Sequence, residues 1–373
     1  MTVHQTAPLA IDPRQPVTQR VFLDGLGVAV PEHILPQDLV KTAAKRILGP
    51  RYPEFDRLSQ SFLTAGIEKR YSLAPFEWFE EPKDWPERTK AYLAGATALF
   101  CDAARNALND AGLEPHDIDQ IVTVSSTGIA TPTLEARAFK EMGFRRDVQR
   151  VPVFGLGCAG GVSGLSVAAR LARANPGSRI LMVAVETCTL SFRADRLRKA
   201  DIIATVLFGD GAAAACLSAP EDPNAVSPGQ VLIGEGFEYT WPDTLPIMGW
   251  DVDHDGFGVI FDRSIPGFLK ENYQSALSAA SASLGRTIHE IDRLVCHPGG
   301  AKVVEALEET LGFTSGSLDH ERAVLSEFGN MSAPTVLFVL QKVLAEEAAS
   351  EMLMTALGPG FTASFLSLSR QRA

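Results

Sequence analysis

The 373-residue chain predicts an α/β protein built from two related halves, and three observations carry that expectation. Short β-branched runs alternate with longer segments of helical spacing, the order expected of a mostly parallel sheet covered by helices. Ile118-Asp119-Gln120-Ile121 recurs 173 positions later as Ile291-Asp292-Arg293-Leu294, and Arg179-Ile180-Leu181-Met182 recurs 172 positions later as Glu351-Met352-Leu353-Met354, so the chain reads as a duplication. The same offset carries Cys158 onto Asn330, each at the start of an apolar helix. Two halves packed about a pseudo-twofold axis would point both helix N-termini at one central cavity.

Composition narrows the function. At 46% hydrophobic the chain buries a large core, and a formal charge of −11 argues against nucleic acid as a partner, because phosphate contacts need a basic face. An anionic substrate would need a local basic patch. Cys101, Cys158, Cys188, Cys216 and Cys296 are odd in number and widely spaced, with no C-x-x-C pair for zinc or a redox disulfide, so no metal is expected and a reducing cytoplasm fits.

Taken in order, residues 1–20 are rich in Pro and Gln and lack an apolar run of signal length, which reads as a flexible or partner-clasping arm. Residues 21–225 form the expected N-terminal half and 226–373 the C-terminal half, joined by the Pro-rich link around Pro220 to Pro228. Val21 to Val30 alternates as a strand and stops at Pro31. Gln37 to Leu48 and Glu54 to Ala65 have helical patterning. Segment 75–88, with its prolines, tryptophans and charges, reads as a surface loop; capping an entrance is the alternative. A long Ala-rich helix follows from Arg88 to Ala111, then the β-branched strand Ile118 to Ser125, the helix Thr133 to Met142 and the strand Ile180 to Glu186. Asp210-Gly211 introduces another strand.

Between these lies VPVFGLGCAGGVSGLSVAARLARA, residues 151–174. Val151 to Phe154 reads as a short buried strand, Gly155 to Gly157 as a turn, and the rest as a helix with Cys158 at its N-terminus. There, unpaired backbone N–H groups and the helix dipole favour the thiolate, the nucleophilic form. Three other readings compete. A free cysteine is commonly just a small buried hydrophobe. Val151 to Ala169 is a charge-free run of membrane-spanning length, although five glycines, two serines and a proline make a poor membrane helix. Gly155 to Gly160 also satisfies G-x-G-x-x-G, with Glu186 where a ribose-binding acid would stand.

His297 is the third candidate. It follows the strand Leu294 to Cys296 in a His-Pro-Gly-Gly loop that precedes the helix Ala301 to Leu311. Loops at the carboxyl ends of strands are where α/β folds place their chemistry.

Cys158 in GCAGG, His297 in CHPGG and Asn330 in GNMSAPTVLFVL together resemble the type III polyketide synthases, the chalcone-synthase-like branch of the thiolase superfamily. FGDGAAA at 208–214, MGWDV at 248–252 and GPGF at 358–361 extend the match, which runs from about Val21 to the C-terminus. The resemblance implies a homodimer with a thiolase-like, layered αβαβα fold and no cofactor beyond thioester substrates. It also accounts for the glycines around Cys158 without a dinucleotide. By implication Cys158 takes an acyl group from an acyl-CoA starter, and His297 and Asn330 hold the enolate left when malonyl-CoA loses carbon dioxide. Attack on the Cys158 thioester is then a decarboxylative Claisen condensation, repeated before the chain cyclises.

The resemblance assigns Phe208 to an aromatic gate and puts Val259 where plant members carry a second gate aromatic; Phe257 and Phe261 share its strand face. Cys188, Ser191, Ser126 and Thr131 are expected to line the cavity. Arg57 and Lys302 fall near the mouth for coenzyme A, whereas Gln60 and Thr64 replace basic residues, which leaves an acyl carrier protein as the alternative donor. Val259 and the small pocket residues point to a fatty acyl starter and an alkylpyrone or alkylresorcinol product. The alternatives are a malonyl-primed synthase of a small polyhydroxylated aromatic and a β-ketoacyl synthase that initiates fatty acids.

Overall fold

The computed structural model describes residues 19–371 except 194, 195, 197, 223–226, 228 and 347. All but the last two residues of the expected arm, most of the Pro220–Pro228 link and the expected boundary at 225 and 226 lie outside the described residues.

In the first half, β1 (Phe22–Ala29) is followed by β2 (His33–Pro36), α1 (Gln37–Leu48), α2 (Phe55–Leu58), α3 (Gln60–Thr64) and β3 (Lys69–Ser72). The single helix expected over Glu54 to Ala65 is broken at Ser59, whose hydroxyl donates back to the Asp56 carbonyl. Such local bonding competes with helix continuation. The pairing of β2 with β3 was not anticipated. α4 (Trp85–Ala111) starts earlier than expected, because Asp84 and Glu87 form a capping box and Pro86 occupies the first turn. Then come β4 (Gln120–Val124), α5 (Leu134–Met142), β5 (Gln149–Val153), α6 (Gly160–Ala174), β6 (Arg179–Thr187), α7 (Lys199–Leu207) and β7 (Asp210–Ser218).

The second half contains β8 (Val231–Thr240), the hairpin β9 (Met248–Asp253) and β10 (Gly256–Phe261), α8 (Ile265–Leu284), β11 (Arg293–Cys296) and α9 (Ala301–Leu311). It closes with α10 (Asp319–Phe328), α11 (Thr335–Glu346), β12 (Glu351–Gly358) and β13 (Thr362–Arg370).

Nine strands form one sheet in the order β11-β12-β13-β8-β1-β7-β6-β4-β5. Outward from the β1–β8 contact the succession is β7, β6, β4 on one side and β13, β12, β11 on the other, so the segments that repeat in sequence occupy equivalent places. The sheet is mixed rather than mostly parallel. Only β4–β5, β4–β6 and β11–β12 are parallel, because β13 turns straight back on β12, and β1 and β8 run against their neighbours.

Alternation along the strands divides the core into layers. Val122, Met182 and Ala213 on one side, and Met354 and Leu366 on the other, face α6 and α11 in a shared central core. The opposite faces carry Ile121, Leu181 and Ala214 against α4, and Leu353 and Phe365 against α8 and α9. The result is helix, sheet, helix, sheet, helix. α6 and α11 approach closely at Gly161, where a Cβ would lie 2.3 Å from the Ala333 carbonyl oxygen.

Candidate active site

Cys158 lies in a single 3-10 turn, Gly157–Ala159, that runs directly into α6. Gly155 and Gly157 take φ of +91° and +49°, and a Cβ on Gly157 would meet Pro359 at 2.7 Å, so glycine is required for this tight entry. The preceding strand departs from expectation. β5 is the outer strand of the sheet and only half-buried, and Phe154 after it is 58% exposed.

The loops after β11 and α10 bring the other two residues in. The Cys158 Sγ–H donates to Asn330 Oδ1 at 3.9 Å, and the Ser332 N–H donates to the same oxygen at 2.8 Å. Asn330 Nδ2 donates to the Gly299 carbonyl at 3.1 Å, which ties the asparagine to the His297 loop. The Asn330 backbone bridges Phe208: its N–H donates to Leu207 O at 2.8 Å and its carbonyl accepts from Gly209 N at 3.0 Å. His297 is anchored through its main chain to Thr355 O at 2.9 Å, while both of its buried ring nitrogens have no hydrogen-bond partner among the described residues.

Burial governs the electrostatics, against the expectation of a ready thiolate. Removal from water pushes the Cys158 thiol up to about 11, with Glu186 adding to the rise and the hydrogen bonds to Ser332 and Asn330 opposing it. The same desolvation drops His297 to about 3. Each group alone is therefore neutral. A charged pair would have to offset the desolvation of both groups by mutual attraction. Glu186, proposed above for a ribose, is itself buried and raised to about 8. Its Oε2 accepts from Ser126 N at 2.9 Å and Thr127 Oγ1 at 2.7 Å, so this carboxyl is committed to the site wall.

A cavity beside Cys158 is lined by Ser126, Cys188, Phe208, Val259, Trp250 and Ser332. Trp250 Nε1 donates to Ser126 O at 2.8 Å, and the Trp250 ring meets Phe208 edge-on at 6.4 Å. Cys188, Phe208 and Val259 also border a second, mostly apolar cavity between α1 and α7, whose walls include Val40, Ala44, Phe76, Phe79, Ser191 and Ala204. Segment 75–88 is thus not a plain solvated loop: Phe76 and Phe79, in a 3-10 turn, form part of that wall. Of the two residues placed beside Val259, Phe261 lines the cavity beside Cys158, whereas Phe257 meets Trp85 edge-on and Trp250 at a tilt.

Three expected residues border neither of these cavities. Thr131 is exposed on the loop after β4 and borders neither cavity, because the chain turns outward at Thr131-Pro132 toward α5. Arg57 is exposed and paired with Glu54 at 2.7 Å. Lys302 is exposed on the first turn of α9. Gly66, after α3, packs against Ala301, the neighbour of Lys302. Ser332 and Trp250 were missed as wall residues. Their only signal was membership of the motifs around Asn330 and MGWDV.

Residues 14–223 match the family model for the N-terminal domain of chalcone and stilbene synthases, and 239–368 match that of the C-terminal domain. The chain belongs to that family. A 1,3,6,8-tetrahydroxynaphthalene synthase of Streptomyces peucetius is 34% identical, with 97% of each chain covered. A protein of Bacillus subtilis described as a putative chalcone synthase is 33% identical over 94% of this chain and 99% of its own. An alpha-pyrone synthesis polyketide synthase-like protein of Mycobacterium tuberculosis is 27% identical, covering 96% and 93%. The crystal structure of the tetrahydroxynaphthalene synthase of Streptomyces coelicolor, a bacterial type III polyketide synthase, superposes with a TM-score of 0.87 at 28% identity, over 94% of this chain and 100% of that one. The chain is thus a type III polyketide synthase, an acyltransferase that uses malonyl-CoA, with the thiolase-like fold. Among the described residues no helix is long and apolar enough to cross a membrane.

Proposed function

We propose that Cys158, His297 and Asn330 are the catalytic residues and that the synthase extends a fatty acyl starter to an alkylpyrone or alkylresorcinol. Cys158 passes its proton to His297 and its sulfur attacks the starter thioester; the carbonyl re-forms as the coenzyme A thiolate leaves and takes up a proton. Malonyl-CoA bound in the same place loses carbon dioxide, and the electron pair left behind forms an enolate. The ring N–H of His297 and the Asn330 amide are the donors for its oxygen. The carbanion then attacks the Cys158 thioester, releasing the sulfur for another round. The two unpartnered nitrogens of His297 support this assignment.

The observation that carries the starter assignment is the apolar cavity beyond Cys188, Phe208 and Val259. Alkyl chain entering it leaves water, at about 0.8 kcal/mol per methylene. A malonyl-primed route to a small polyhydroxylated aromatic is the second reading, favoured by the similarity to tetrahydroxynaphthalene synthases. We also place a homodimer in this reading, with Phe154 and Ile129, 58% and 53% exposed near the outer strand, as its contact surface. Arg57 and Lys302 remain proposed for the coenzyme A mouth, with an acyl carrier protein as the alternative donor. Mass spectrometry of products from malonyl-CoA with and without C4 to C16 acyl-CoA tests the choice. Alkylated products that dominate with long starters support the first reading, and undiminished aromatic product from malonyl-CoA alone overturns it.

A further inference from the structure

Arg70 on β3 is 1% exposed, yet its Nε and one Nη have no acceptor among the described residues. The other Nη donates to the carbonyl of Phe208 at 3.3 Å. Its stem lies against the two glycines that flank the Phe208–Asn330 bridge: a Cβ on Gly209 would come within 3.2 Å of Arg70 Cβ, and one on Gly329 within 3.4 Å. Asp210, the residue after Gly209, acts on it as a countercharge. Asp210 in turn accepts from Thr189 N and Leu73 N, both at 2.8 Å, and so fixes the turn that carries Cys188. A guanidinium taken out of water without full pairing is costly, and a hydrophobic residue would fill the same space at less expense.

We propose that Arg70 is a positioning residue for the condensation: through the Phe208 carbonyl and the Asp210 carboxylate it holds the gate ring, the Asn330 amide and the Cys188 turn in one register. The inference rests on the reading of Asn330 as an enolate donor. Arg70 acts on the decarboxylation half of the cycle, because the strands it braces carry Phe208 and Asn330 rather than Cys158. Asp210 must be ionised for this. Burial raises its carboxyl to about 6, while Arg70 from β3 opposes that rise; among the described residues the other titratable group bearing on it is the Cys188 thiol. Loss of Arg70 therefore moves the ionisation upward, toward neutral pH.

The test measures Cys158 loading from an acyl-CoA by intact mass, malonyl-CoA decarboxylation, and unfolding temperature for Arg70→Met, Arg70→Lys and Asp210→Asn. In Arg70→Met, decarboxylation falls by about a hundredfold, the scale of a misplaced catalytic group, while loading stays near the parent rate. Its acid limb shifts to higher pH, and Arg70→Lys restores the limb. Asp210→Asn abolishes the limb and answers the question if Arg70→Met does not fold. Equal loss of loading and decarboxylation in step with unfolding temperature, or an unshifted limb in both Arg70→Met and Asp210→Asn, overturns the proposal. Unimpaired decarboxylation in Asn330→Ala would instead overturn the reading of Asn330.

Discussion

The thiol of Cys158 lies 3.9 Å from the side-chain oxygen of Asn330, a residue 172 positions further along the chain. Each stands just before one of the two central helices, α6 and α11, which occupy equivalent places in the two halves. The duplicated fold therefore delivers a thiol from one half and an amide from the other to the same point.

On the proposed roles, in which Asn330 contributes a donor but takes no proton from the thiol, Asn330→Ala should slow malonyl-CoA decarboxylation by about a hundredfold or more while Cys158 still acylates. His297→Ala should impair both steps. Single-turnover carbon dioxide release and intact-mass acylation separate the two. Equal loss of loading in both variants would contradict these roles.

The pH dependence of Cys158 alkylation tests the proposed proton transfer to His297. Without His297 the thiol titrates alone, raised by burial to about 11, so in His297→Ala the iodoacetamide rate should climb steadily from pH 7 to 10. With His297 as proton acceptor, the native protein should react faster at pH 7 than the variant. Identical profiles would mean that the imidazole does not share the proton.

Cys188 borders both cavities, so Cys188→Phe should obstruct the passage between them. Native catalytic efficiency should rise with starter length, up to roughly fourfold per methylene for 0.8 kcal/mol of burial. In the variant the preference should shift to short starters. A parallel loss for C4 and C12 starters would remove the apolar cavity from the binding path.

Glu186 is an acid whose folded pKa, about 8, stands above its ordinary 4.5. The folded state holds this proton more tightly than the unfolded chain does. The stability it contributes is therefore fully present below the ordinary value and is lost as pH rises through about 8. Glu186→Gln keeps an acceptor for Ser126 N without the titration. Its unfolding temperature should fall less between pH 5 and 8 than that of the native protein, as measured by calorimetry. Parallel curves would show that the carboxyl is ionised throughout.

The duplication was legible because β4 and β11, and β6 and β12, keep similar residues at one offset. Strand direction was not, since antiparallel β1 and β8 leave no trace in local alternation. The start of α4 was present in the Asp84 to Glu87 capping box and was overlooked beside the prolines of segment 75–88. Cys158, His297 and Asn330 could be read from motifs that each follow a strand or precede a helix. The protonation state of Cys158 could not, because the helix N-terminus is visible in sequence whereas the burial that outweighs it depends on Pro359, Ser332 and Val259 from distant segments. The exposure of Thr131 was not legible either: its place in the chain beside Ser126 says nothing about the outward turn that follows.

The central claim is that Cys158 carries the acyl chain. Incubating the native protein and Cys158→Ala with a fatty acyl-CoA, followed by intact-mass and peptide mapping, tests it most directly. One acyl adduct confined to Cys158 in the native protein, and none in a folded Cys158→Ala, is the predicted result. An adduct on Cys188, or polyketide turnover that persists in the Cys158 variant, would contradict the account.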